Sequence, residues 1–271
     1  MGLYYHNSKS SLFIDLHHII CDGVSMNILM DEFLNLYIGN PLIEHQKHYK
    51  DYSAWFDNRD LSKQYEYWRD EFADEIPIID LPTDMHRPQI HTHKGKSIIK
   101  PISADIKNSV RDVCRRTGAT EYMVYLSALM IMLSKYSHQE DIIIGSPISG
   151  RTHPDTLGMM GMFVNTLAIR SYPEKNKTVI DFIRETKDKC LKAYENQELP
   201  FDEIVDMLEL NRDMSRNPLF DVMFVLQNEK PHLESEKRLE FNIVQDNGIT
   251  SKFSLNSSSV ILPQYIFSKL N

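Results

Sequence analysis

No run of apolar residues in this 271-residue chain approaches the roughly 20 needed to cross a bilayer as a helix. The first residues, Met1-Gly2-Leu3-Tyr4-Tyr5-His6, lack the charged and then apolar pattern of a secretory leader. His6 stands where a myristoylation signal needs Ser or Thr. Cysteine is scarce: Cys21, Cys114 and Cys190 are odd in number, scattered, and form no Cys-x-x-Cys pair. That excludes a disulfide framework and fits a reducing compartment. Basic blocks are absent as well. Lys and Arg number 30 against 38 Asp and Glu, a net charge of −8, which argues against nucleic acid as the main partner. A cytoplasmic protein with no membrane partner is the expectation.

What is present is ordinary globular material, 42% hydrophobic and 25% charged, in enough length for one large or two modest domains. Apolar residues 11–16 read as a strand. Met26, Leu29, Met30, Phe33, Leu36 and Tyr37 recur at helical spacing over 24–37, and Gly39-Asn40-Pro41 stops that helix. A polar loop leads to Tyr49-Lys50-Asp51-Tyr52-Ser53-Ala54-Trp55, and 61–72 reads as a second amphipathic helix. Residues 81–88, with two prolines and no periodicity, read as a linker. Beyond it, 96–101 is a strand, and Ser103 caps a helix that stops at Gly118. Residues 120–136 form a buried helix and 141–145 a short buried strand that feeds the loop 146–151. A strand over 163–171 follows. Thr178 with Asp181 resembles a capping box for a helix to about 194. A short helix at 201–208 and strands at 221–227 and 239–244 complete the pattern. Strands alternating with helices indicate an α/β layered fold, with Trp55, Trp68 and Phe201 as expected core residues.

The stretch Leu16-His17-His18-Ile19-Ile20-Cys21-Asp22-Gly23 is where chemistry concentrates. On a strand, neighbouring His17 and His18 face opposite ways, so one can face a cavity while the other packs into structure. An imidazole can take or give a proton near neutral pH. Asp22 can fix local geometry or pair with a cation. Gly23 removes a side chain where the chain turns or a ligand approaches. A structural pair of histidines is the competing reading. A metal site needs a third and a fourth ligand, and His91 with His93 is the pair at the tightest other spacing; no metal is expected.

The spacing His-His-x-x-x-Asp-Gly resembles the active-site motif of the condensation domains of nonribosomal peptide synthetases, in the superfamily of chloramphenicol acetyltransferase. Five more segments match that family in order. They are Tyr49-Lys50-Asp51-Tyr52-Ser53-Ala54-Trp55, the linker over 81–88, Gly161-Met162-Phe163-Val164-Asn165-Thr166, Asn196-Gln197-Glu198-Leu199-Pro200-Phe201-Asp202, and Arg212-Asp213-Met214-Ser215-Arg216-Asn217-Pro218-Leu219-Phe220. The resemblance implies a chloramphenicol acetyltransferase-like, two-lobed layered α/β fold. It divides the chain into 1–80, a first-lobe remnant carrying the histidines, an inter-lobe linker over 81–94, and a second lobe over 95–271. The first lobe is expected to be incomplete, with no sheet partners for 11–16 and with an arginine-bearing motif that could pair with Asp22 missing. The C-terminus diverges: Ser254 replaces the acid of a Lys-Phe-Asp-Leu element.

The implied chemistry is amide-bond formation between an acyl or peptidyl thioester and an aminoacyl acceptor, each on the phosphopantetheine of a carrier domain. No directly bound cofactor is expected. His18 is the implied general base or stabiliser of the tetrahedral intermediate, His17 supports the loop, and Asp22 and Gly23 shape it. Asn165, an amide in an apolar strand, needs hydrogen-bond partners and is a candidate to line the substrate channel, as are Ser146 and Gly161. Asp51, Trp55, Arg170 and Arg212 are expected to be structural, the arginines as ion-pair partners. The expected partners are donor and acceptor carrier domains and adjacent synthetase modules or a complementary N-terminal polypeptide. A non-catalytic, carrier-docking remnant is the alternative, followed by an epimerisation domain.

Overall fold

Side-chain caps set most of the helix starts. The computed structural model describes residues 2–6, 9–42, 44–83, 98–210, 215–226 and 259–260. Packing groups them into two units: 1–60 with 149–164, and 61–148 with 165–271.

The smaller unit begins with a two-stranded antiparallel ribbon, β1 (Gly2–His6) against β2 (Lys9–Phe13), in register from Gly2 opposite Phe13 to His6 opposite Lys9. The expected strand at 11–16 therefore ends earlier and has a partner. Extended chain leads from it to a one-turn 3₁₀ helix, His18–Ile20. Helix α1 (Gly23–Tyr37) follows, capped by Asp22, whose carboxylate accepts from Ser25 N. Helix α2 (Tyr49–Phe56), a segment the spacing does not assign, opens at His48. Asp51 fastens that opening, its carboxylate accepting from His48 N at 2.8 Å.

The larger unit holds the apolar core. Strands β4 (Ile142–Ile148) and β5 (Asn165–Ser171) pair antiparallel, Ile142 opposite Ser171 and Ile148 opposite Asn165. The strand expected at 141–145 thus runs on through Pro147. Helix α3 (Ser62–Glu71) buries Trp68 completely, and the indole N–H donates to Asn196 O at 2.9 Å. The short strand β3 (Lys100–Pro101) pairs with β6 (Ser259–Val260). Helix α4 (Ala104–Thr117) starts at a Ser103 cap and ends at Gly118, whose φ of +68° suits glycine. Helix α5 (Glu121–Ser137) buries nine of its residues, Leu126 and Met130 fully. Helix α6 (Val179–Glu195) starts at Thr178, which accepts from Asp181 N. The Asp181 carboxylate returns to the Thr178 hydroxyl, so the cap forms without the second arm of a full box. Helix α7 (Phe201–Met207) packs against α3 and β5, with Phe201 half-buried against the core.

Packing thus places 61–80, including Trp68, with the larger unit, and 149–164 with the smaller. Trp55 is 42% exposed rather than a core anchor. Among the described residues of the strand expected at 221–227, those from 221 to 226 form a single parallel bridge, Gly145 to Met223. His91 and His93, Arg212, the strand expected at 239–244, linker residues 84–94 and the Lys252-Phe253-Ser254 element lie outside the described residues.

Candidate active site

A buried carboxylate organises the smaller unit. Asp22 is 1% exposed and Ser25 is fully buried. Asp22 Oδ1 accepts from Ser25 N at 2.7 Å and lies 2.8 Å from the Ser25 hydroxyl, and Oδ2 accepts from Phe163 N at 3.2 Å. The Arg151 guanidinium spans both oxygens from Nη2, at 2.9 and 3.2 Å. Its Nη1 donates to the carbonyls of Thr156 and Met159, and its face rests 4.2 Å from the centre of the Phe163 ring. Burial pushes the Asp22 carboxyl up, but donation from Ser25 N, Arg151, the Ser25 hydroxyl and Phe163 N outweighs it and holds the group below its ordinary 3.8.

This cluster ties the histidine turn to a distant loop. Asp22 N donates to Gly161 O at 3.2 Å, and Gly161 N donates to the Ser25 hydroxyl at 3.0 Å. A Cβ on Gly161 would stand 2.1 Å from the Tyr49 ring, so that position needs glycine for its close approach. The Tyr49 hydroxyl donates to Met162 O at 2.8 Å. Burial and the Asp22 charge push that phenol up, so it remains a donor. Arg151 supplies the cation that the sequence reading placed in a missing motif.

His17 and His18 stand on the 3₁₀ turn rather than on a strand, and both are exposed. His17 Nδ1 accepts from Ile19 N at 3.1 Å, which stiffens the turn. Among the described residues no side chain hydrogen-bonds the His18 ring. Gly23 opens α1 beside this turn, and a Cβ there would meet nothing within 4 Å. Its φ is not in the left-handed region, so of its two readings only ligand approach would use the missing side chain.

Of the other expected site residues, Asp51 and Trp55 belong to the smaller unit, and Ser146, Asn165 and Arg170 to the larger. Ser146 and Asn165, expected to line a channel, spend their polar groups there. The buried Ser146 hydroxyl accepts from Tyr122 OH at 2.6 Å. Asn165 Nδ2 donates to Gln197 O and Leu199 O at 2.9 and 2.8 Å, while Oδ1 accepts from Thr166 N and Phe201 N. That amide clamps β5 to the start of α7. Asn165→Ala is expected to cost about 1–3 kcal/mol, read as a lower urea midpoint of Trp68 fluorescence. Arg170 is an ion-pair partner as expected. It forks onto Asp141 at 2.6–3.2 Å and donates to the carbonyls of Glu71 and Glu75. Trp55 contacts Tyr52 and His153 and carries the Arg59 guanidinium 4.7 Å from its ring centre.

No group of three or more potential metal ligands gathers among the described residues, and none of the described helices is long and apolar enough to cross a membrane. A family model described as Condensation domain matches residues 2–262. Bacitracin synthase 3 of Bacillus licheniformis is 44% identical over 254 residues, covering 92% of this chain and 4% of the synthase. Gramicidin S synthase 2 of Brevibacillus brevis is 49% identical over 230 residues, 83% of this chain and 5% of the synthase. The chain therefore spans about one-twentieth of the length of these relatives. Among solved structures, the X-domain from teicoplanin biosynthesis superposes with a TM-score of 0.73 at 20% identity, over 82% of this chain and 53% of that one. A four-domain nonribosomal peptide synthetase bound to AMP and glycine superposes with a TM-score of 0.71 at 20% identity, over 76% and 16%. The fold is thus that of condensation domains, of the chloramphenicol acetyltransferase type.

Proposed function

The chain belongs to the condensation-domain family of nonribosomal peptide synthetases, and on that premise we propose that it forms amide bonds between carrier-bound substrates. The donor is an acyl or peptidyl thioester on the phosphopantetheine of one carrier domain. The acceptor is an aminoacyl thioester, with a free amine, on another. The amine attacks the donor carbonyl, the C–N bond forms, the C–S bond breaks, and the thiol leaves on the donor carrier. His18 takes the proton shed by the amine or hydrogen-bonds the developing oxyanion. No metal or nucleotide enters.

The observation that carries this reading is the division of labour at the turn. Asp22 accepts hydrogen bonds at both oxygens inside a buried cluster, so it positions. His18 is exposed with its ring uncommitted among the described residues, so it is the group able to exchange a proton. Positioned acid–base groups contribute about 10²–10⁴-fold, and holding two substrates together contributes more.

The test mixes the chain with an acylated donor carrier and an aminoacylated acceptor carrier and follows the acceptor by intact mass. A mass gain equal to the acyl group supports condensation. Carrier binding without any mass change supports a docking module. Inversion at the α-carbon without an amide identifies an epimerisation domain.

A further inference from the structure

A cavity of about 450 Å³ opens within the smaller unit between α2 and the 153–159 segment, inside the roughly 300–1,000 Å³ range of small-molecule sites. Two observations fix the chemistry it suits. Its lining includes the rings of Tyr52, Trp55 and His153, and Trp55, 42% exposed, already attracts one cation, the Arg59 guanidinium. Its charged lining residues are Lys47, Asp51 and Asp155. Lys47 and Asp155 pair with each other, which leaves Asp51, whose carboxylate also accepts from His48 N, as the surplus charge among the lining residues. Aromatic faces with one surplus negative charge complement an ammonium on an apolar body. The volume matches roughly 15 waters at about 30 Å³ each, the size of a small molecule rather than of a peptide segment.

We propose that this cavity is a binding site for a free small amine, held as its ammonium between the Trp55 and Tyr52 rings and the Asp51 carboxylate. The site is separate from the histidine turn, whose reacting amine must be neutral. It is nevertheless tied to that turn. Buried Thr156 and Met159 line the cavity, and their carbonyls are held by the Arg151 guanidinium that also grips Asp22. The inference goes beyond amide formation and does not depend on it.

The chain has two tryptophans, and Trp68 is fully buried in the larger unit, so a fluorescence change on titration reports Trp55. Phenethylamine is the probe, with N-acetylphenethylamine as the neutral analogue of similar shape. A saturable change with phenethylamine is expected, with the acetylated analogue at least about tenfold weaker. Asp51→Asn, which keeps an oxygen to cap α2, is expected to weaken binding about 3–10-fold. Lys47→Met, which frees the Asp155 charge, is expected to strengthen it by about the same factor. His18→Ala is expected to bind phenethylamine unchanged, so failure of this site and failure of the condensation reading are separable. No saturable change at tens of millimolar, or equal binding of the acetylated analogue, overturns the proposal.

Discussion

Asp22→Ala is expected to cost the smaller unit about 3–5 kcal/mol, the range for removing one partner of a buried ion pair. The substitution strands the Arg151 charge, whose side chain is 2% exposed. It also leaves Ser25 N and Phe163 N without their acceptor. Against total stabilities of about 5–15 kcal/mol that loss is a large fraction of the whole. The measurement is a urea titration followed through Trp55, in a Trp68→Phe background. Pairing Asp22→Ala with Arg151→Met completes the cycle, and the double variant is expected to recover part of the loss because no charge is then buried alone. Equal midpoints for wild type and Asp22→Ala would rule the buried pair out as the unit's anchor. The same carboxylate gives a pH signature. Its folded pKa is lowered below 3.8, so the stability it contributes is fully present above that value. It is lost as pH falls from about 4 through the folded pKa, a loss that Asp22→Ala should not show.

His18→Ala is expected to lower amide formation between loaded carriers by about 10²–10⁴-fold while leaving the urea midpoint of Trp55 unchanged, because among the described residues no side chain hydrogen-bonds the exposed ring. His18→Gln separates the two roles. A glutamine amide donates a hydrogen bond to an oxyanion but cannot take a proton at neutral pH. Recovery of about tenfold or more over alanine assigns oxyanion stabilisation, and no recovery assigns the base. His17→Ala is expected to fall between wild type and His18→Ala, because losing the bond to Ile19 N loosens the turn without removing the proposed acid–base group. Full amide formation by His18→Ala would sink the catalytic reading.

Much of the helical framework was legible because it is written locally. The spacing of Met26, Leu29, Phe33 and Leu36 placed α1, and the Ser103 and Thr178 caps with Gly118 bounded their helices within a residue or two. Helix α2 escaped although Tyr49, Tyr52 and Trp55 recur every three residues. Its cap, His48, is not one of the side chains that normally open a helix. Strand β4 was cut short at Gly145 because Pro147 reads as a breaker. It stands opposite Thr166 in a pair whose other side, among the described residues, is bridged only at Gly145, where a missing N–H costs little. Arg151 was beyond reach. It closes a contact 129 positions from Asp22, and no periodicity encodes that distance. Asn165 is expected at a channel because an amide in an apolar strand needs hydrogen-bond partners, and Ser146 with it. Their partners, Tyr122 and the carbonyls of Gln197 and Leu199, show how an apolar strand absorbs a polar side chain.

The smaller unit is discontinuous, made of 1–60 and 149–164 with nearly half of a second unit's core encoded in between. On a ribosome adding about 5–20 residues per second, the histidine turn emerges on the order of ten seconds before Arg151 exists to close the cluster. For that interval Asp22 has no cation, and the apolar side chains of α1 have only local contacts. Pairings of such separation are also the slow ones in refolding, because the loop must close before any contact is gained. The anchor of the turn is therefore a late event in the life of the chain. Newly made smaller units are the ones most exposed to chaperones and proteases, whatever the final stability of the pair.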